Sequence, residues 1–351
     1  MGHVPKAPAL TRRRRRFVRK GALVALSIAG LALAVWALSR IGLSRIGDAL
    51  LSVSAPWALA ALVLMCLSMV LRAEAWYAVL VAAGAEPSRP VVVRATMIGV
   101  LMSAALPGRL GEPARAFVVS RRLGDTRRWF ATVAGTVFAQ TLLNIVALGL
   151  LAVGVIAGAG LFQGHVQAIV AVLAVPAAIA LAIVAAPPLL RRLRSSRFDS
   201  VRRAARVVAG EMENLRRGLF VFRRPGTAVH ATLAQLAAWA LQWLACYMLL
   251  VAFGLEHDSG LAAAAGVLLA VNVAAVLPVT PSNVGIFQAA CIVVLAAYGV
   301  GKGQALAYGI VLQAIEVATA LLLGVPALVS EGLSWDTLRR SADELTRGGE
   351  G

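Results

Sequence analysis

The sequence predicts an all-α polytopic membrane protein with about six full spans and two re-entrant helical hairpins, arranged as an inverted-topology repeat. Three observations support this prediction. Hydrophobic residues make up 60% of the 351 residues, whereas soluble domains are about half apolar. The excess lies in continuous runs of the length, about 20 residues, that crosses a bilayer as helix. Basic residues lie between these runs, mostly on one predicted side of the membrane.

The six predicted full spans are long apolar runs. They lie at about 21–39, 57–80, 129–160, 166–187, 228–253 and 303–328. Because the runs are continuous rather than alternating, they exclude an outer-membrane β-barrel. The first run follows a basic segment but is long enough to span, so we predict an uncleaved helix rather than a signal peptide.

Two further apolar regions are interrupted by helix-breaking residues. Residues 95–106 run into the stretch LPGRLGEPAR, and residues 261–277 run into PVTPSNVG before apolar residues resume at 286–298. A helix of about 13 residues covers only about 20 Å, which is too short to cross. We therefore predict two re-entrant hairpins, at 95–123 and 261–298, with these stretches at their tips.

The distribution of charge predicts the topology. With a cytoplasmic N-terminus, the predicted cytoplasmic segments hold 30 Lys and Arg residues and the outer segments hold three. This asymmetry predicts a multi-pass protein of the cytoplasmic membrane with both termini cytoplasmic. The same topology makes residues 57–160 and 228–328 two repeats that enter from opposite sides, a pattern typical of secondary transporters.

Three segments flank or interrupt the spans of the single transmembrane domain, which we place at 21–328. Residues 1–20 are a basic cytoplasmic segment, 188–227 a basic connector with amphipathic helical spacing, and 329–351 a tail expected to lack order. The connector suits either an anionic lipid surface or packing beneath the bundle. Topology and lipid attraction account for the net charge of +18, so we expect no nucleic-acid partner.

The tip of the first hairpin combines backbone donors with arginines. Pro113 suits the first position of a new helix, whose free N–H groups attract anions. Gly108 and Gly111 let a ligand approach the backbone, while Arg109 and Arg115 offer planar forks for phosphate. These residues predict a site for a lipid phosphate. The alternative is that the charges satisfy one another at the cytoplasmic mouth.

Four other charged residues are candidates for charge pairing or proton coupling. Glu112 cannot bind phosphate, so we expect it to pair with an arginine or to take up a proton. Arg72 and Glu74 lie near the inner end of the second span, where extension toward the cytoplasm is the alternative. Glu316 lies midway along the last span, where a carboxylate is costly and usually functional.

The second tip is uncharged and offers backbone dipoles and hydroxyl groups. Its candidate residues are Pro278, Thr280, Pro281, Ser282, Asn283 and Gly285. Thr280, Ser282 and Asn283 are suited to cap the following helix, and Gly285 permits close approach. A structural kink is the alternative reading.

Polar residues also occur within corresponding spans of the two repeats. Gln140 and Asn144 lie in one span and Gln313 in the other, which predicts a central polar cavity. Hydrogen bonding between helices is the alternative.

Motifs for nucleotide-driven or metal-dependent chemistry are missing from the sequence. There is no Walker loop, nucleophile elbow or dinucleotide fingerprint, and the three Cys and four His are widely scattered. We therefore expect no cofactor, no metal and no catalytic residue.

The stretches LPGRLGEPARAFVVSRRLG, LRAEAWYAVL and LPVTPSNVGIFQAA together resemble the transmembrane-region family of lysylphosphatidylglycerol synthases, over about residues 20–330. These flippase-like proteins are related to the flippase half of multiple peptide resistance factors. The G-x-x-G-E-x-x-R stretch is the most specific part, while Ser282 and Asn283 stand where family members often have two glycines. The resemblance implies a fold that moves or handles lipids. Lysine transfer in fused members belongs to a separate soluble domain, so synthase activity is not implied.

We therefore expect a lipid flippase that moves an anionic phospholipid or a polyprenyl-phosphate-linked lipid, by facilitated or proton-driven transport. One alternative is a membrane-embedded transferase acting on a lipid-phosphate carrier, which the scarcity of acidic residues in the loops disfavours. A noncatalytic membrane partner of a glycosyltransferase is another. A homodimer or a lipid-modifying enzyme partner is compatible with these readings.

Overall fold

The computed structural model describes residues 53–105, 111–158, 225–275 and 285–332. All regular structure in these residues is α-helical. The helices are α1 (Ala55–Ala82), α2 (Arg89–Ala105), α3 (Gly111–Arg122), α4 (Thr126–Gly158), α5 (Pro225–Ala252), α6 (Glu256–Ala274), α7 (Ile286–Ala297) and α8 (Lys302–Ser330). The predicted all-α class is therefore confirmed for the described part of the chain.

Four of these helices are long and apolar enough to cross a membrane. They are α1, Arg128–Leu151 within α4, α5 and α8. At a rise of 1.5 Å per residue, the 28 residues of α1 extend about 42 Å. Each coincides with one of the predicted spans. Several predicted segments lie outside the described residues. They are the spans at 21–39 and 166–187, the basic segment at 1–20, residues 188–224 of the connector predicted at 188–227, and the tail beyond residue 332.

α2 and α3 form a helix pair on either side of residues 106–110. Their backbones come close at Gly99 and Gly111. A Cβ on Gly111 would overlap the carbonyl oxygen of Gly99 and Oγ of Ser103. Small residues at a helix interface allow such close packing, so this glycine sets the distance between the two helices.

The starts of α2 and α3 differ from the prediction. α3 begins at Gly111, so Pro113 is its third residue rather than its first. The prediction that Pro113 occupies the first helical position is therefore wrong. The first four N–H groups of a helix have no acceptor within it, so any position in the first turn tolerates proline. α2 begins at Arg89, six residues before the predicted apolar region.

α6 and α7 form the second helix pair. Gly285 is the N-cap of α7, with a φ of 90° that favours glycine. Its N–H donates a hydrogen bond to Oε1 of Gln288 at 2.7 Å. The residues predicted to cap this helix were Thr280, Ser282 and Asn283. That prediction is wrong, because the N-cap is a glycine whose N–H donates to the side chain of a glutamine three residues later.

The two helix pairs open toward opposite ends of the bundle. Glu331, directly after α8, accepts hydrogen bonds from Arg94 near the start of α2 and Arg122 at the end of α3. At the other end, the N–H of Ser54 donates to the carbonyl oxygen of Ala252, where α1 begins and α5 ends. Short turns join α5 to α6 and α7 to α8 at this second end. We call the end that contains Glu331 the basic end.

Charge distinguishes the two ends of the bundle. Arginines at helix termini of the basic end include Arg89, Arg94, Arg121, Arg122 and Arg128, whereas the other end carries Lys302. That the pairs are re-entrant, and that they form an inverted repeat, stays a prediction because their tips lie outside the described residues.

The interior contains two apolar clusters. The cluster nearer the basic end joins the second half of α1 to α2, α3 and the first half of α4, and buries Trp76, Ile98 and Met102. The other joins α5, α6, α7 and the first half of α8, and buries Leu249 and Leu295. Lipid is as apolar as these side chains, so van der Waals packing stabilises both clusters. Polar side chains lie between them.

Candidate functional site

A cavity of about 350 Å³ lies at the junction of the two apolar clusters. Both helix pairs contribute to its wall, together with α1, α4, α5 and α8. Its charged and amide side chains are Arg72, Glu112, Arg115, Gln140, Asn144, Gln242, Asn272, Gln313 and Glu316. The volume lies within the range of about 300–1,000 Å³ that is typical of small-ligand pockets.

Arg115, in the first turns of α3, is held in one orientation. It is only 7% exposed. Nη1 donates to Oε1 of Gln140 at 2.7 Å, and Nη2 forms an ion pair with Oε2 of Glu112 at 2.5 Å. The guanidinium also lies over the ring of Trp76, with Cζ 4.6 Å from the ring centroid, a favourable cation–π contact. Three different helices therefore fix the plane of this guanidinium.

Gln140 on α4 connects the two arginines of the cavity. Its side chain is fully buried. Oε1 accepts the hydrogen bond from Arg115, and Nε2 donates to the backbone carbonyl oxygen of Arg72 at 2.8 Å. Since each end of the amide has its own partner, the orientation of the amide is determined.

Arg72 on α1 also lies in the cavity wall. Its Nη2 donates to Oε1 of Gln242 at 3.3 Å, and Cζ lies 5.9 Å from the ring centroid of Trp239. Nε2 of Gln242 in turn donates to Oγ of Ser68 at 3.4 Å. The sequence left open whether Arg72 acts inside the bundle or extends toward the cytoplasm. The structure favours the first reading, because the side chain contacts partners inside the bundle.

Each of these arginines has a hydrogen-bond donor without an acceptor. Nε of Arg72 and Nε of Arg115 are buried and have no hydrogen-bond partner among the described residues. A buried unsatisfied donor costs about 1–3 kcal/mol, and the two positive charges also repel each other. An anion that accepts from both guanidinium groups would remove both unfavourable effects.

Two carboxylates face the same cavity. Glu112 is half exposed and pairs with Arg115. Glu316 lies on α8 at helical spacing from Gln313, which also lines the cavity, and it is attracted electrostatically to Arg72. Within the described residues, no group of three or more His, Cys, Asp or Glu could hold a metal ion.

Sequence reasoning missed a polar stripe on α5. Gln235, Trp239 and Gln242 are separated by four and three residues, so they share one helix face. Gln235 Nε2 and Trp239 Nε1 both donate to Oδ1 of Asn144, at 2.6 and 3.3 Å. Their helical spacing within an apolar span was a signal that could have identified them.

The remaining predicted residues lie in several different places. Gly111 lines the cavity, whereas Gly285 does not and instead caps α7. Glu74 lies at the basic end, where its Oε1 is 3.3 Å from Nη2 of Arg89 and 3.2 Å from Nε2 of His230. The predicted residues outside the described ranges are Gly108, Arg109, Pro278, Thr280, Pro281, Ser282 and Asn283.

A second charged cluster, at the basic end, was not predicted from the sequence. The Glu331 side chain is 3% exposed, with its two oxygens 2.6 Å from Nε of Arg94 and 2.7 Å from Nε of Arg122. Burial raises the pKa of Glu331, but hydrogen bonds and charge from the two arginines lower it by more, so the pKa lies below its ordinary value. The ionised carboxylate therefore ties α2 and α3 to the end of α8.

Comparison with protein families adds an independent finding. The family model described as the lysylphosphatidylglycerol synthase TM region matches residues 22–324. This range includes both helix pairs and every charged side chain of the cavity. No curated protein gives a significant match to the chain.

Proposed function

Because the chain belongs to the lysylphosphatidylglycerol synthase TM region family, we propose that it is a lipid flippase of the cytoplasmic membrane. It moves a phospholipid or a polyprenyl-phosphate-linked lipid between leaflets and binds the headgroup phosphate in the central cavity. The acyl or prenyl chains remain in the surrounding lipid during this movement.

One observation carries the proposal: two arginines whose Nε–H groups have no acceptor among the described residues line a polar cavity between membrane-spanning helices. Phosphate oxygens are strong acceptors, and a guanidinium binds them as a planar fork. Trp76 and Gln140 already fix the plane of Arg115, so little side-chain freedom is lost when phosphate binds.

The orientation of the helix pairs supports transport rather than simple binding. Pairs that open toward opposite ends allow the cavity to be reached from either side in turn, as in transporters built from inverted repeats. The basic end is the cytoplasmic one in this proposal, because arginines are enriched there and positive charge is retained inside. Both termini are then cytoplasmic.

The test is lipid translocation by the full chain reconstituted into vesicles. A nitrobenzoxadiazole-labelled phospholipid is bleached from outside with dithionite, and the fraction that becomes accessible over time reports translocation. Replacing Arg115 with Gln is expected to lower the rate about 10- to 100-fold, because hydrogen bonds to charged groups contribute about 1.5–3 kcal/mol. Arg72→Gln is expected to act in the same direction.

The matched control is Arg121→Gln, on the same helix but exposed and outside the cavity wall. It should leave the rate unchanged. Size-exclusion profiles and thermal midpoints confirm that each variant is folded. Equal rates for Arg115→Gln, Arg121→Gln and the unmodified chain would overturn the phosphate site. Absence of translocation by the unmodified chain would overturn the flippase function.

A further inference from the structure

The charged groups that the structure describes in the cavity balance one another before any lipid enters it. Among the described residues, two arginines and two glutamates line the cavity, so the formal charges of these four sum to zero when all are ionised. A phosphodiester headgroup without an amine brings one negative charge. An uncompensated charge within the membrane is costly, so binding requires a compensating positive charge.

The two carboxylates differ in how firmly they are paired. Glu112 contacts the guanidinium of Arg115 directly and is 49% exposed. Glu316 is also exposed to the cavity, so the presence of a direct partner is what distinguishes the two carboxylates. Glu316 forms no hydrogen bond or ion pair within 4.0 Å in the described part of the chain. Among the described residues, Arg72 is the cation that attracts it across the cavity.

Phosphate and Glu316 therefore compete for the same guanidinium. When the phosphate accepts hydrogen bonds from Arg72, the carboxylate of Glu316 loses its counter-charge, and an unpaired carboxylate in a low-dielectric site binds a proton. We propose that binding of a lipid phosphate to Arg72 and Arg115 is coupled to uptake of one proton by Glu316, so that lipid and proton cross together. This inference rests on the proposed flippase function.

The surroundings of Glu316 identify it as the proton acceptor. The titratable or charged groups that act on it or face it are Arg72 on α1, Glu112 and Arg115 on α3, Cys246 on α5, Cys291 on α7 and Tyr308 on α8. α2 presents Thr96, Gly99, Val100 and Ser103 to the cavity, none of them charged. Apart from the arginines and Glu112, every one of these groups is neutral at physiological pH. Glu316 is therefore the carboxylate that changes charge with least disturbance of other pairs.

The chemical balance is simple. A hydronium ion transfers its proton to one oxygen of Glu316, so that one O–H bond breaks, another forms and a water molecule is left, and no covalent bond of the lipid changes. One lipid monoanion and one proton cross together, so the net charge moved is zero. Transport is therefore expected to respond to a pH gradient and to be insensitive to membrane potential.

The experiment uses the reconstituted full chain and labelled phosphatidylglycerol, a phosphodiester lipid without an amine. A gradient of one pH unit is imposed while valinomycin and potassium hold the membrane potential at zero. At equilibrium the dithionite-accessible fraction should shift toward a tenfold difference between leaflets, since one pH unit is a tenfold difference in proton concentration. An even distribution despite rapid translocation would overturn the coupling while leaving the flippase function intact. No translocation by the unmodified chain would be a failure of the flippase function itself.

The variant Glu316→Gln retains the polar shape but cannot change charge. It should still translocate the lipid and should lose the response to the gradient. Glu74→Gln is the control, because Glu74 pairs with Arg89 and His230 outside the cavity, and it should behave as the unmodified chain. A gradient response that survives in Glu316→Gln would overturn the assignment.

A measurement on the unmodified protein does not depend on whether the variant folds. Short-chain phosphatidylglycerol is added to purified protein in weakly buffered detergent, and a pH indicator records proton uptake. About one proton per bound lipid is expected. Saturating lipid binding without proton uptake would overturn the proposal.

Discussion

Replacing Glu331 with Gln removes the negative charge that holds the ends of α2 and α3 against the end of α8. Its carboxylate oxygens lie 2.6 and 2.7 Å from the Nε atoms of Arg94 and Arg122. The side chains of these arginines are 32% and 47% exposed, so water replaces part of each interaction when it is lost. Hydrogen bonds to charged groups contribute about 1.5–3 kcal/mol each. After allowance for this solvation, we expect the free energy of unfolding to fall by about 2–3 kcal/mol in total.

The assay is thermal unfolding of the detergent-solubilised protein, followed by tryptophan fluorescence at pH 7. The expected decrease in midpoint is on the order of 5 °C. Glu86→Gln is the matched control, because Glu86 is exposed in the turn between α1 and α2, and no change is expected for it. If both variants unfold at the same temperature, the two hydrogen bonds to Glu331 do not stabilise the fold.

The pH dependence of the same measurement has a defined sign. Because the pKa of Glu331 lies below its ordinary value, its stabilising effect is complete above the ordinary glutamate pKa of about 4.3. The effect is lost as pH falls through the lower folded-state value. The difference between the unmodified protein and Glu331→Gln should stay constant from about pH 7 to 5 and should decrease only at pH values below the ordinary glutamate pKa of about 4.3. Convergence already at about pH 6 would contradict this assignment.

Two further substitutions test the packing around the cavity. Gln140→Leu leaves Arg115 without its amide partner while preserving the size of the side chain, so we expect labelled-lipid translocation to slow about tenfold. The exposed Arg121→Gln variant is the reference. An unchanged rate in Gln140→Leu would mean that Gln140 does not orient the arginine. Gly111→Ala forces α2 and α3 apart and should lower the free energy of unfolding by about 1–3 kcal/mol, whereas Gly154→Ala, with open space around its Cβ position, should be neutral or slightly stabilising. Equal stability of the two alanine variants would contradict the close approach seen at Gly111.

Much of the helical framework was predictable because it depends on local sequence. Membrane-spanning length and hydropathy are properties of a contiguous stretch, and α1, α5 and α8 begin and end within about three residues of the predicted limits. Helix breaks were also local signals, since proline and glycine act on their own turn. Small errors at Pro113 and at the cap of α7 arose because several positions in a first turn satisfy the same backbone groups.

The candidate site was only partly predictable because its contacts join distant parts of the chain. Arg115 and Glu316 were identified from their chemistry, as charged residues in apolar surroundings. Glu112 was expected to pair with an arginine, and it pairs with Arg115, but the partners on other helices were not identified. Arg72 hydrogen-bonds Gln242, 170 residues away, and no local pattern specifies which helices become neighbours.

The sequence by itself determined that this chain is a multi-helix membrane protein with two interrupted segments. Hydropathy and helix breaking depend only on short contiguous stretches of residues. Tertiary structure alone decided that Arg72 and Arg115 share one cavity with two carboxylates. It also decided that the Nε–H of each arginine has no acceptor in the part of the chain that the structure describes. The physical reason is that hydrogen-bond satisfaction depends on which side chains meet in space, and in a membrane this is set by packing between helices.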